Sequence, residues 1–215
     1  MTSDGPAARP DLRAPGPGSP GPGRRGLGTR GIWPAGPARP APADVAPADV
    51  APADLAAVRR QLGRPPRGVR AVAHRCPCGL PDVVETAPRL PDGTPFPTLY
   101  YLTCPRAAAA VSRLEARGTM REMTARLAAD PDLRAAYLNA HRDYLARRDA
   151  AGRAVGAEPL PPAAGSAGGM PGRVKCLHAL TAHELAVPGA NPLGRQAIAA
   201  AGPWWQAGSC VAAPR

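Results

Sequence analysis

The chain has 215 residues, a formal net charge of +11, 30 prolines, 24 glycines and a single phenylalanine. So much Pro and Gly with so few aromatics confines the buried core to part of the chain, one ordinary domain with tails. No stretch approaches the ~18 consecutive apolar residues of a membrane span, which excludes a membrane partner of that kind.

The N-terminus, MTSDGPAARPDLRAPGPG, holds no apolar run of signal-peptide length, so a cytoplasmic location is expected. Residues 1–53 carry 12 of the prolines and read as a disordered tail, because too little apolar surface is present to offset chain entropy. Within it a five-residue repeat runs from Ala41, Ala46 and Ala51 (APADV, APADV, APADL), and its regular prolines favour extended chain. The third copy leads into a short helix with Asp54 as its expected cap and Leu55, Val58 and Leu62 as an apolar stripe. Strands are expected at 69–73, 83–87 and 99–103, with the tight Cys76-Pro-Cys-Gly79 after the first and the turn Pro91-Asp-Gly93 before the third.

Helices follow. Pro105 suits the first helical position and makes Cys104 the N-cap residue of a helix over 106–117. Thr119-Met-Arg-Glu122 has the pattern of a capping box opening 119–129, and Asp130-Pro131 opens a helix over 131–149. Residues 151–167 read as a Pro/Gly/Ala linker, helical spacing resumes over 176–186, and residues 201–215 form a loose tail. The expected fold is therefore α+β: one domain over 54–200, a small antiparallel sheet covered by four to five helices, with a long disordered N-terminal tail.

The segments RCPCGLPDVV, DGTPFPTLYYLTCP, SAGGMPGRVKCLHALTAHELA and GANPLG resemble the bacterial family catalogued as domain of unknown function 501, common in high-GC Gram-positive bacteria. The resemblance covers about residues 55–198. It implies membership of an uncharacterised family and brings no activity, substrate or cofactor.

Cys76, Cys78, Cys104 and Cys176 sit at loop or element ends, the first three beside Pro or Gly, where a tight turn can bring sulfurs together. Four thiolates, or three with His178, would complete a tetrahedral zinc site; an iron–sulfur cluster on the same cysteines is the alternative, and inert buried thiols a third reading. In one continuous helix Cys176 and His178 would point about 200° apart, so both can serve one ion only if the helix begins after Cys176. His183, two turns further on, reads as a core histidine. His141 reads the same way, and His74 as a ligand or its supporting group. GRVKCLH also holds Lys175, the one lysine of the chain. Lys175, Cys176 and His178 are the candidate catalytic residues should the protein be an enzyme. Arg173 and Lys175, after the glycine-rich Gly165–Gly172, are the candidate binders of an anionic substrate. Arg59, Arg60, Arg64, Arg67, Arg70 and Arg75 form a basic run suited to an anionic ligand or a nucleic-acid backbone.

Overall fold

The computed structural model describes residues 50–161 and 164–211; the expected disordered tail lies outside them up to residue 49, as do residues 212–215 of the C-terminal tail. The described residues form α1 (Pro52–Leu62), β1 (Val69–Arg75), β2 (Pro81–Thr86), β3 (Tyr100–Leu102), α2 (Pro105–Ala116), α3 (Thr119–Ala129), α4 (Pro131–Arg153), α5 (Leu177–Ala186) and α6 (Pro192–Ala201). This is the α+β architecture expected, with a three-stranded antiparallel sheet in the order β1-β2-β3.

The middle strand, β2, is buried along its whole length although half its residues are polar. Its charges are matched across the sheet. Glu85 Oε1 lies 3.3 Å from Arg70 Nη1, and Asp82 Oδ1 lies 2.6 Å from His74 Nδ1. Such pairing is what makes charge tolerable in a low-dielectric interior. On the other side β2 pairs Val83 with Leu102 and Glu85 with Tyr100. The core then runs through Leu99, Tyr100, Tyr137, Tyr144, Leu177, Leu180 and Leu193, with α5 lying between β3 and α6.

Proline sets the helix starts. It occupies the first turn of α1, α2, α4 and α6, where the missing N–H costs nothing. Asp130 caps α4 as expected, its side chain accepting from Leu133 N at 2.9 Å. Two expected caps are not used. Ala51 precedes α1, while Asp54 lies inside the helix and grips Arg75 through two hydrogen bonds of 2.8 and 2.5 Å. Gly118, at φ 89°, precedes α3, because the tight turn from α2 leaves no extended residue to place a Thr119 cap.

Three further expectations are corrected. α6 was not anticipated, although Asn191-Pro192 is a cap followed by a first-position proline and Asn191 Oδ1 accepts from Gly194 N at 2.9 Å. α4 runs on to Arg153, into the expected linker, whose Ala151, Leu160 and Ala167 are buried. The expected loose tail is partly docked, with Trp204 buried and edge-to-face with Trp205. Among the described residues no helix is long and apolar enough to cross a membrane.

Candidate functional site

Helix α2 carries chemistry at both ends. Cys104 precedes its first turn and Glu115 stands in its last, about 16 Å away at 1.5 Å per residue. The segment GRVKCLH reaches only the Glu115 end. Cys176 is the extended N-cap residue of α5, so the helix begins after it, the condition under which Cys176 and His178 can converge. Leu177 N–H donates to Glu115 Oε1 at 2.7 Å. A helix N-terminus attracts anions, and here the protein's own carboxylate takes that place.

His178 Nδ1 lies 3.2 Å from the same Glu115 oxygen and 3.9 Å from Cys176 Sγ. Its Nε2 lies 3.1 Å from the Ala108 carbonyl and 3.2 Å from Ser112 Oγ. Glu115, Cys176 and His178 are the group of described residues whose ligand-type atoms all lie within 4.8 Å of one another, and all three are half-buried. The hydrogen bond with Cys176 pushes the His178 imidazolium up to about 9, against the effect of burial and with help from Glu115. Burial works to raise the Cys176 thiol, but the hydrogen bond from His178 and the Ala179 N–H outweigh it, and its pKa is lowered.

The single four-ligand site expected from the sequence is thus divided. Cys76, Cys78 and Cys104 gather at the other end of α2, where the side chain they meet is Cys210 rather than Cys176. The reason is α2 itself: a straight helix of twelve residues holds the two ends apart.

Arg173 and Lys175 are exposed. The glycine-rich entry folds back on itself: Lys175 N donates to Gly168 O at 2.7 Å and Arg173 N to Gly169 O at 3.2 Å. Gly169 has φ +92°, and a Cβ there would stand 2.7 Å from the Arg173 carbonyl. These glycines therefore serve a tight return of the chain before they serve any anion. The basic run is also divided. Arg70 is buried against Glu85 and Arg75 is held by Asp54, leaving Arg59, Arg60, Arg64 and Arg67 exposed. Arg64 and Arg67 line a cleft of ≈ 530 Å³ with Phe96 and Tyr101, whose lining includes no cysteine or histidine.

His183 is fully buried, stacked on Tyr100 and 3.1 Å from Asp143, as a core histidine should be. His141 bonds Ser166 at 2.8 Å, and His74 is tied to Asp82. Two residues escaped the sequence reading. Glu115 could have been found, since an acid in the last turn of a helix opposes the macrodipole unless something else holds it. Cys210 had no signal beyond the apolar Trp204-Trp205 nearby.

The family model described as "Protein of unknown function (DUF501)" matches residues 72–199, which include Cys76, Cys78, Cys104, Glu115, Cys176 and His178 and stop short of Cys210. No curated protein and no solved structure matches the chain.

Proposed function

Because the chain belongs to the DUF501 family, which brings no activity with it, we propose from the site alone that this is a metal-binding protein with a zinc centre on Glu115, Cys176 and His178. The observation that carries the reading is the convergence of one oxygen, one sulfur and one nitrogen within 4.8 Å. These are the three donor types zinc accepts.

The orientation of His178 supports a cation rather than a nucleophile relay. In a Cys–His–acid relay the thiol and the carboxylate address different ring nitrogens. Here both address Nδ1, and Nε2 faces the Ala108 carbonyl. An Nε2–H donated to that carbonyl leaves the Nδ1 lone pair for a metal, the usual outer support of a histidine ligand. One sulfur does not suit an iron–sulfur cluster, which needs several. Three protein ligands leave a fourth position for water or an anionic ligand, the arrangement of zinc sites that do chemistry. Arg173 and Lys175, exposed on the segment that enters the site, favour an anion at that position.

The test is zinc content and affinity of the chain purified without chelators. Cys176→Ser and His178→Gln should each weaken zinc binding at this site by about a hundredfold or more, beyond the effect of losing an outer supporting group. Lys175→Ala should keep the ion. Undiminished zinc in the Cys176→Ser/His178→Gln double variant would sink the reading.

A further inference from the structure

We infer that Cys76, Cys78, Cys104 and Cys210 form a second metal centre, a four-thiolate site for zinc or a similarly soft divalent cation, which fastens the C-terminal segment to the end of the sheet. The site is separate from the Glu115 trio and does not depend on it.

The backbone brings the four cysteines to one end of the sheet from three places, as a chain of neighbours rather than a closed cluster, since no three of their sulfurs lie within 4.8 Å of one another. The turn after β1 closes with Cys76 N donating to Leu80 O at 2.9 Å and Gly79 N to Cys76 O at 2.8 Å. That tight loop sets the Cys78 thiol and the Cys78 N–H against the Cys76 sulfur. The pairing of β2 with β3, extended by Thr103 N to Asp82 O at 2.8 Å, delivers Cys104 to the same edge, where its thiol meets that of Cys76. From α1, Gln61 Nε2 lies 2.6 Å from the Pro81 carbonyl and 3.2 Å from Cys210 Sγ, so one amide joins the sheet end to the tail. Cys210 in turn meets Cys104.

All four are free thiols, with Cys104 and Cys76 at 0% and 3% exposure. The contacts run in series, Cys78 to Cys76 to Cys104 to Cys210. Zn–S bonds of ~2.3 Å set sulfurs about 4 Å apart, so an ion draws the two half-exposed end residues inward and leaves the buried pair in place.

Gln61 Oε1 and Thr103 Oγ1 are buried beside the cluster, with no hydrogen-bond partner among the described residues. Asp82, whose charge works against a Cys76 thiolate, has its Oδ1 tied to His74 Nδ1 at 2.6 Å. On uptake the thiol protons leave to solvent, and the ion with four thiolates carries a formal charge of −2. The Gln61 amide, 3.2 Å from Cys210 Sγ, is already one of the donors that such a charge requires, and the N–H groups of Cys78, Arg106 and Ala107 work to lower the pKa of the thiols they face.

The full chain, purified without chelators, should hold two zinc ions, counted by atomic emission. The Cys78→Ser/Cys210→Ser double variant should hold one, and Cys176→Ser/His178→Gln should hold the other. Cobalt substituted into that second variant should give the strong sulfur-to-metal charge-transfer absorption of a thiolate-rich site. Alkylation of Cys210 should be blocked by zinc and released by chelator in the native chain, a readout that needs no variant to fold. One ion per chain, lost with Cys78/Cys210 and kept without Cys176/His178, would leave this inference standing and remove the Glu115 centre. The inference is overturned if metal content is the same in the native chain and the Cys78→Ser/Cys210→Ser variant, if Cys210 alkylates equally with and without zinc, or if the four cysteines of the fresh protein are disulfide-bonded.

Discussion

His178 has a carbonyl at Nε2 and two acidic groups at Nδ1, and that asymmetry governs its proton. Its pKa is pushed up to about 9, first by Cys176, against burial, and then by Glu115. At pH 7.5 the metal-free imidazole is therefore protonated, and a metal must displace that proton. Zinc uptake at this centre should release protons, and its apparent affinity should rise by about tenfold per pH unit up to about pH 9 and then level off. Competition titrations at several pH values, on the Cys78→Ser/Cys210→Ser variant to isolate this centre, check the slope; a flat profile below pH 8 would contradict it. Tyr144 shows the opposite situation, a polar group sealed in the core. Its hydroxyl oxygen accepts from Leu99 N at 2.6 Å, and the residue is fully buried. Tyr144→Phe would strand that N–H at a cost of about 1–3 kcal/mol. Urea unfolding should resolve this, with the half-buried Tyr101→Phe close to native.

α5 and α6 form a close pair, and the segment between them is organised by buried polar groups. Glu184 accepts from Gly189 N at 2.9 Å and from Asn191 N at 2.7 Å, which ties the loop to the helix it leaves. Asn191 then caps α6, and Gly194 lets the two backbones touch: a Cβ there would stand 2.2 Å from the Leu180 carbonyl oxygen and 2.8 Å from its carbon. Two effects oppose each other in Gly194→Ala. Helix propensity favours alanine by about 1 kcal/mol. The clash is with backbone, which cannot rotate away, and overpacking of this kind costs about 3 kcal/mol or more. The clash should win, with a net loss of at least about 2 kcal/mol and a lower thermal midpoint. Gly172→Ala, where a Cβ meets nothing within 4 Å, is the control.

Across the whole molecule, the four cysteines join the β1–β2 turn, the β3–α2 junction and the C-terminal segment, with α1 tied in through Gln61. A bond made between parts so distant in sequence restricts the unfolded chain strongly, and metal binding adds directly to folding stability. Chelation should therefore lower the unfolding temperature and loosen the segment around Trp204, which is now 8% exposed. Tryptophan emission should shift to longer wavelength on adding chelator, and the Cys78→Ser/Cys210→Ser variant should show the shifted spectrum from the start. An emission spectrum indifferent to both would mean that the tail is held by Trp204 packing alone.

Residue chemistry in short windows determined a good deal by itself. Proline followed by a helical pattern located α2 and α4, short runs of strand-forming residues beside turn signals located the strands, and position at loop or element ends singled out Cys76, Cys78, Cys104 and Cys176 as the residues worth following. His183 was legible as a core histidine because helical period places it two turns from Cys176. These are local properties, set by φ/ψ preference and side-chain period within a few residues. The grouping of ligands was not local. Whether Cys176 joined Cys104 or Glu115 depended on which end of α2 the returning chain would meet, about 16 Å apart along one helix. Cys210 could be assigned to a partner only once Gln61, 149 positions away in sequence, was seen bridging it to the Pro81 carbonyl. Distances between residues remote in the chain follow from how helices and sheet pack, and only the tertiary structure divided one expected site into two.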